Sequence, residues 1–175
     1  MIDLDRLKEN GSPFWRFSLS LYARPHVPSA CLVLQDNHGV DVNVLLYLLW
    51  AASEGRALSA SDIKALNGLI EPWRQQVVVP LRQVRRWLKM PDMAFADLSQ
   101  DLRTHIKAAE LESERIQQEV LYGYADITEI GTSAQTADAI SANITAYQNL
   151  LHTTFDAASL NVLLTECANL KDKLK

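Results

Sequence analysis

The most regular feature of this sequence is the return of apolar residues at intervals of three and four along most of its length. That spacing places them on one side of an α-helix, whereas a half-buried strand would show strict alternation. The best strand candidate, residues 76–79, is rich in valine but is flanked by helical periodicity and ends at Pro80. The pattern therefore predicts an all-α, single-domain bundle of six to eight helices.

Two apolar runs joined by a short polar turn, over residues 31–50, form the centre of the predicted bundle. Gly39 is suited to the left-handed conformation that ends a helix, and Asp41 is suited to capping the next one. The helix after Asp41 extends to about Ser53 and is apolar nearly all the way round. Such a helix is expected in the middle of a bundle.

Prolines and their neighbours predict two boundaries before this hairpin. The pair Ser12-Pro13 indicates a capped helix start, because serine accepts backbone hydrogen bonds there and proline is tolerated at the first helical position. Pro25 and Pro28 predict a fixed connector over residues 24–28, since neither residue can continue a helix. A short helix is also predicted over residues 2–9.

After the hairpin the pattern predicts two long helical regions. The first, residues 62–89, contains Pro72 and Pro80, so three shorter helices and one kinked helix are both consistent with it. The second follows a turn at Pro91 and covers residues 95–122. Its core-facing side is predicted to carry Leu98, Leu102, Ile106, Ala109, Ile116 and Val120.

Beyond residue 125 the composition shifts toward alanine, threonine, asparagine and serine. We predict two helices there, over about residues 134–153 and 157–171, that form an antiparallel hairpin. The predicted organisation is thus a bundle over residues 1–125 and a C-terminal hairpin over residues 126–175. The hairpin either packs on the same domain or stands off it, and homo-oligomer formation through this hairpin is a further possibility.

Composition excludes several classes of protein. The chain has 175 residues, of which 48% are apolar and 22% charged, and its net charge of -4 argues against a bulk nucleic-acid or membrane binder. Cys31 and Cys167 lack the spacing of zinc or redox motifs, which predicts reduced thiols without disulfides. A signal-peptide pattern is missing, and the longest apolar run is short of the ~20 residues of a membrane span. We expect a cytoplasmic protein that uses no cofactor.

Three longer patterns resemble a known family. They are F-W-x-F-S-L-x-x-Y from Phe14, C-L-x-L-Q-D-x-x-G-x-D-V-N-x-L-L from Cys31, and P-L-R-x-V-R from Pro80. Together they resemble a family of small uncharacterised proteobacterial proteins, carried as a domain of unknown function, over roughly residues 11–125. The resemblance implies a cytoplasmic bacterial setting, and it brings no activity.

Four polar candidate residues, Asp36, His38, Asp41 and Asn43, lie within the eight residues 36–43 of the central turn and the helix that follows it. Carboxylates and imidazole are the usual metal ligands and proton carriers, which suggests a metal or acid–base site. The spacing of these residues does not fit a calcium-binding loop. The alternative is that the two aspartates bond backbone groups of the turn, as aspartates at turns commonly do. Asn43 and Tyr47 share one stripe of the central helix with Trp50. They either bond partners across the hairpin or line a small pocket. The candidate pocket comprises Gln35, Asp36, His38, Asp41, Asn43, Tyr47 and Trp50, with no metal assigned.

A basic helix face is the second candidate site. Residues 71–89 hold five basic residues and one acidic residue, and on a helical projection most of the basic ones lie opposite the apolar side. Arginine predominates, and its guanidinium group binds oxyanions bidentately. The alternative is a solvated face offset by residues 110–129, which hold six acids and one base. The candidate anion-binding or partner-binding residues are Arg74, Arg82, Arg85, Arg86 and Lys89.

These two sites lead to two functional hypotheses from different classes. The leading one is a non-enzymatic binding or regulatory protein that meets an acidic protein or RNA through the basic face. The alternative is a small-molecule or metal-binding protein, with or without catalysis, whose polar site lies at residues 35–47. No catalytic residue is assigned under either hypothesis.

Overall fold

The computed structural model describes residues 11–90, 95 and 98–173. In this part of the chain the predicted all-α bundle is confirmed, with eight α-helices and one π-helical turn. The helix predicted at residues 2–9 and the turn predicted at Pro91 lie outside the described residues. The helices are α1 (Pro13–Tyr22), α2 (Val27–His38), α3 (Val42–Ser53), α4 (Ala60–Trp73), α5 (Val79–Trp87), α6 (Gln100–Tyr122), α7 (Thr136–Leu151) and α8 (Ala157–Lys173).

Helix α3 forms the centre of the bundle, as its apolar sequence predicts. Ten of its twelve residues are buried, and it packs against α1, α2, α6 and α7. Asp41 caps it by accepting a hydrogen bond from the backbone N–H of Val44 at 3.0 Å. Gly39 ends α2 in the left-handed conformation, with φ of 67°. Both residues of the turn therefore play their predicted parts.

The connector between α1 and α2 is shorter than predicted. Helix α1 begins as expected, with the Ser12 hydroxyl accepting a hydrogen bond from the Trp15 N–H at 3.0 Å. The prediction that Pro28 lies in the connector is wrong, because α2 already starts at Val27. Proline is tolerated in the first turn of a helix, because a backbone N–H at that position would have no hydrogen-bond partner within the helix. His26, at φ of 64°, makes the reversal before α2.

The region with two prolines is one helical path. Helix α4, a π-helical turn (Arg74–Val78) and α5 follow one another without a loop. At the end of the turn, the N–H of Val79 reaches the carbonyl of Arg74, five residues earlier. Pro72 and Pro80 flank the turn, and an interrupted α-helical ladder of hydrogen bonds commonly produces such a widening.

Helix α6 buries a polar side instead of the predicted apolar one. It begins at Gln100 rather than residue 95, and Leu98 and Leu102 are 87% and 52% exposed. Ala109 is also exposed, whereas Ile106, Ile116 and Val120 are half-buried. The prediction fails because polar groups of other elements reach α6 and bond to it, namely arginines of α5, Asp41 before α3 and Asn43 within α3. The buried residues of α6 are Glu110, Ser113, Gln117, Gln118, Glu119 and Leu121.

The C-terminal segment shares the same core. Helix α7 packs against α3 and α4, and α8 packs against α2 and α1. A two-residue antiparallel ladder of β1 (Arg56–Ala57) and β2 (Thr132–Ser133) also joins the segment to the bundle. The sequence pattern does not predict this ladder, because two residues are too few to show alternation. Homo-oligomer formation through this segment stays a prediction.

Candidate functional site

A cavity of about 320 Å³ lies between α1, α2, α5 and α6, with residues of α3 at its base. Its mouth is lined by leucines that are 48%, 46% and 54% exposed, namely Leu19, Leu32 and Leu111, and by the exposed Lys107. Its base is polar and is lined by the buried side chains of Ser18, Asn43 and Gln118. The cavity therefore combines apolar side chains and a cation at its entrance with buried polar side chains at its base.

Helix α1 supplies one wall of the cavity. Trp15, Ser18, Leu19 and Tyr22 line it, and their spacing of three and four places them on one side of the helix. The Ser12 cap fixes where α1 begins and so which side faces inward. Burial raises the pKa of Tyr22, so this phenol stays neutral at physiological pH.

Two arginines of α5 and two glutamates of α6 form the opposite wall, which we call the ion-pair wall. Arg82 pairs with Glu110 at 3.1 Å and with Glu114 at 2.7 Å. Arg85 pairs with Glu110 at 3.2 Å. Through its remaining Nη1 atom, Arg82 donates to Oε1 of Gln35 on α2 at 2.5 Å. These bonds hold α2, α5 and α6 in place around the cavity.

The two glutamates of the ion-pair wall have different electrostatic surroundings. Burial tends to raise the pKa of Glu110, but hydrogen bonds from Arg85 and Arg82 outweigh it, and the pKa lies below its ordinary value. At Glu114 burial dominates, and the pKa is raised despite the pair with Arg82. The wall thus contains one firmly ionised carboxylate and a second one that accepts a proton more readily.

Two polar atoms at the base of the cavity have no hydrogen-bond partner among the described residues. They are the Ser18 hydroxyl and Oε1 of Gln118, and both side chains are buried. Gln118 donates through Nε2 to Oδ1 of Asn43 at 2.7 Å, which leaves its carbonyl oxygen as an acceptor. A buried polar group without a hydrogen bond is destabilising by about 1–3 kcal/mol. Each atom has less than 1 Å² of accessible surface, so a molecule in the cavity does not reach it in this conformation.

The structure separates the seven residues predicted as one pocket. Gln35 and Asn43 line the cavity. Asp36 is exposed and pairs with Arg86 at 3.0 Å, while His38 approaches the hydroxyl of Thr153 at 3.4 Å. The polar residues of the turn therefore point to different neighbours, although they are close in sequence.

Asp41 belongs to a separate buried network. Its carboxylate accepts hydrogen bonds from Gln117 at 3.0 and 3.2 Å and pairs with Arg74 at 3.3 Å. Its backbone N–H donates to the Tyr147 hydroxyl on α7 at 3.0 Å. Arg74 also donates to Oδ1 of Asn67. This network joins α3, α4, α6 and α7, and it engages Arg74 inside the protein.

Tyr47 and Trp50 lie in an aromatic cluster of the core and do not line the cavity. The Tyr47 ring is 5.2 Å from Phe14 and 5.4 Å from Trp50, measured between centroids. Trp50 is in turn 5.5 Å from Tyr122 of α6. The stripe predicted on α3 is therefore divided, with Asn43 at the cavity and the two aromatic residues in the core.

The predicted basic face is divided as well. Arg82 and Arg85 belong to the ion-pair wall, whereas Arg86 and Lys89 are exposed. Helix α5 is bonded to α6 through Arg82 and Arg85, and Trp87 remains 52% exposed. Only part of the charge counted in the sequence is thus available on the surface.

Within the described ranges, no three histidine, cysteine or acidic side chains converge as a group able to hold a metal ion. In the same part of the chain, no helix combines the length and the apolar character needed to cross a bilayer. Cys31 lines the cavity, and burial raises the pKa of its thiol to about 12. A thiol with that pKa is a poor nucleophile at neutral pH.

Several residues of the cavity were absent from the sequence-based candidates. The most important are Glu110, Glu114 and Gln118, which recur every four residues on α6 and so form one polar stripe. Such a stripe ordinarily indicates a solvated side of a helix. The missing information was that arginines of α5, distant in sequence, would cover it.

Comparison with known proteins identifies one family. A family model described as "Protein of unknown function (DUF2390)" matches residues 13–121, more than half of the chain. The matched residues contain α1 to α5 and all but the last residue of α6, and thus every element that lines the cavity. No curated protein and no solved structure shows a significant match.

Proposed function

This chain belongs to the DUF2390 family of proteins of unknown function, and we propose that it is a binding protein that holds a small organic molecule in the cavity. The observation that carries the proposal is the cavity itself, which has exposed leucines at its mouth and the buried polar side chains of Ser18, Asn43 and Gln118 at its base. A concave, mostly apolar site with a few converging polar groups is the usual form of a ligand pocket.

The dimensions and the framework of the cavity support this proposal. Its volume of about 320 Å³ lies at the lower end of the range for small-molecule sites, roughly 300–1,000 Å³. The ion-pair wall joins three helices through Arg82, so the cavity is held open before any ligand arrives. A preorganised site loses less conformational entropy on binding.

Binding without catalysis is favoured by the side chains that line the cavity. The Cys31 thiol is buried, and its pKa is raised to about 12. Among the residues that the structure describes, no histidine lines the cavity. The carboxylate of Glu110 is bonded to Arg82 and Arg85, and its lowered pKa makes it a weaker base toward a substrate.

A pair of substitutions on α2 tests the proposal. Leu32 lines the mouth of the cavity, whereas the neighbouring Val33 does not, and both are partly exposed, at 46% and 37%. A fragment library is screened by chemical-shift changes in two-dimensional NMR spectra, and hits are titrated against the variants. We expect Leu32→Trp to weaken binding at least tenfold and Val33→Trp to leave it unchanged. Equal binding by both variants would contradict the proposal.

A second candidate function is contact of the exposed part of the basic face with an acidic protein or RNA. Arg86 and Lys89 are exposed, and Trp87 between them is 52% exposed. An exposed aromatic residue among cations favours a recognition surface, because its ring can stack on a base or cover an apolar group. The internal pairing of Arg82 and Arg85 reduces the charge available for this role.

This second function is tested by anisotropy titrations with labelled oligouridine and with a glutamate-rich peptide at several salt concentrations. The variant Arg86→Glu/Lys89→Glu should lose binding, and Arg16→Glu/Lys64→Glu, at exposed positions of α1 and α4, serves as the charge-matched control. Binding should weaken as salt rises, because exposed ion pairs are screened. Affinity that does not change with salt would argue against this role.

A further inference from the structure

We infer, on the basis of the proposed function, that the ligand of the cavity is an organic anion, in which an apolar body carries one carboxylate. Three features of the cavity carry the inference: cationic groups that the protein leaves unpaired, an excess of positive charge in the lining, and exposed leucines beside the cations. Together they favour a molecule with one charged end and one apolar end.

Two cationic groups of the lining are available to a ligand. Lys107 of α6 is exposed, and its ammonium group forms no ion pair or hydrogen bond with the residues that the structure describes. Arg85 of α5 bonds Glu110 through Nε and Nη2, so within the same described part of the chain its Nη1 group is left to donate. An anion can therefore bind both groups without displacing a carboxylate from the ion-pair wall.

The fold brings these two cations to one side of the cavity. Lys107 lies three residues before Glu110 on α6, so the two side chains share a face of that helix. Arg85 reaches the carboxylate of Glu110 from α5. The phenol of Tyr22, on α1, is close enough to Arg85 to interact with it electrostatically, and its hydroxyl bonds no described residue. A carboxylate at this place meets an ammonium, a guanidinium and a phenol donor.

The charges of the lining suit a ligand with a single negative charge. Three basic and two acidic residues line the cavity, so its formal net charge is +1. The three nitrogen atoms of the Arg82 guanidinium are engaged by Glu110, Gln35 and Glu114, and Arg85 also pairs with Glu110. The two arginines thus offset the two glutamates, and the excess charge is that of the lysine. A cationic ligand would meet repulsion there.

The leucines at the mouth select an apolar body. Leu111 lies four residues after Lys107 on α6, so an apolar side chain that is 54% exposed stands next to the unpaired cation. Leu19 and Leu32 line the opening from α1 and α2. Several exposed leucines around one opening form an apolar patch of the kind that marks a binding site. A ligand body that covers them removes apolar surface from water while its carboxylate stays at the lysine.

Four probes separate charge from apolar contact. Octanoate is an anion with an apolar chain, octan-1-ol is neutral with a similar chain, octylammonium is a cation with the same chain length, and acetate is an anion without an apolar body. Each is titrated into the full chain while the backbone amide signals of Leu32, Gln35 and Leu111 are followed in two-dimensional NMR spectra. We expect octanoate to bind best, roughly tenfold more tightly than octan-1-ol, which is the usual worth of charge-assisted hydrogen bonds.

Two charge reversals locate the carboxylate. Lys107 and Lys64 are both exposed helical lysines, but Lys64 of α4 is not part of the cavity lining. Lys107→Glu should weaken octanoate binding about tenfold and leave octan-1-ol binding unchanged, because it replaces attraction by repulsion at one exposed position. Lys64→Glu should leave both unchanged. Added salt should weaken the binding of octanoate and not that of octan-1-ol.

The outcomes distinguish the ligand class from the proposed function. If octan-1-ol or octylammonium binds as tightly as octanoate, or if the two reversals affect octanoate equally, the class is overturned and the proposed function stands. If no probe moves the signals of the cavity residues, the class is overturned as well. The proposed function then falls with it only if the fragment screen also yields no hit that Leu32→Trp weakens.

Discussion

Replacing Asp41 with alanine is expected to lower the free energy of unfolding by about 3 kcal/mol, the sum of three separate losses. The N-cap of α3, made to Val44, contributes about 1 kcal/mol. Gln117 is buried and loses its acceptor, which is worth about 1 kcal/mol. The ion pair with Arg74 adds about 1 kcal/mol rather than the 3–5 of a fully buried pair, because Arg74 is 19% exposed and keeps Asn67.

Urea unfolding followed by far-UV circular dichroism measures this change, and another aspartate of the same turn is the control. Asp36 and Arg86 are each about half exposed, at 47% and 48% of their side chains, so Asp36→Ala should cost less than about 1 kcal/mol. Asp41→Asn keeps one side-chain oxygen, which can accept from both the Val44 N–H and Gln117, and it loses the charge that pairs with Arg74, so it should lose roughly half as much stability as Asp41→Ala. Equal losses for Asp36→Ala and Asp41→Ala would refute the reasoning.

Three further predictions concern the ion-pair wall, α7 and the start of α6. The pKa of Glu110 in the folded protein lies below the ordinary value of 4.5, so its ionised form stabilises the fold above pH 4.5, and this stabilisation is lost as pH falls through the lowered pKa. The loss of stability caused by Glu110→Gln, measured by urea unfolding at several pH values, should therefore be present at neutral pH and vanish in acid. A loss that does not change with pH would contradict this reasoning. Asn143→Ala should lower the free energy of unfolding by about 2–4 kcal/mol, because the fully buried Asn143 amide accepts a hydrogen bond from the Leu58 N–H and donates one to the Leu48 carbonyl. Thermal unfolding measures this loss as a lower melting temperature. Leu98→Ser should change stability by less than about 0.5 kcal/mol because Leu98 is 87% exposed, and a loss typical of a core leucine would show that this residue is buried.

The parts of the fold that were predictable rest on short-range chemistry. Serine before proline at residues 12–13 caps α1, and Gly39 with Asp41 separates α2 from α3. Each of these signals acts within three or four residues, so it works in any tertiary setting. The central position of α3 was predictable for a related reason, since a helix that is apolar on all sides has to be surrounded.

The candidate site was only partly predictable, because its residues meet through helix packing. Gln35 and Asn43 were identified as polar exceptions among apolar neighbours, and both line the cavity. Arg82 was identified as well, but as a surface cation. Its actual partners, Glu110 and Glu114, lie 28 and 32 residues further along the chain. No local pattern states that these side chains face one another.

By itself, the sequence determined the helices, their caps and the burial of α3, since periodicity and capping are properties of neighbouring residues. Tertiary structure decided which polar side chains are buried. In α6 the polar stripe points inward because Arg82 and Arg85 cover it, while Leu98 and Leu102 remain in solvent. A charged side chain can be buried wherever a partner of opposite charge reaches it, and only the packing of distant helices supplies that partner.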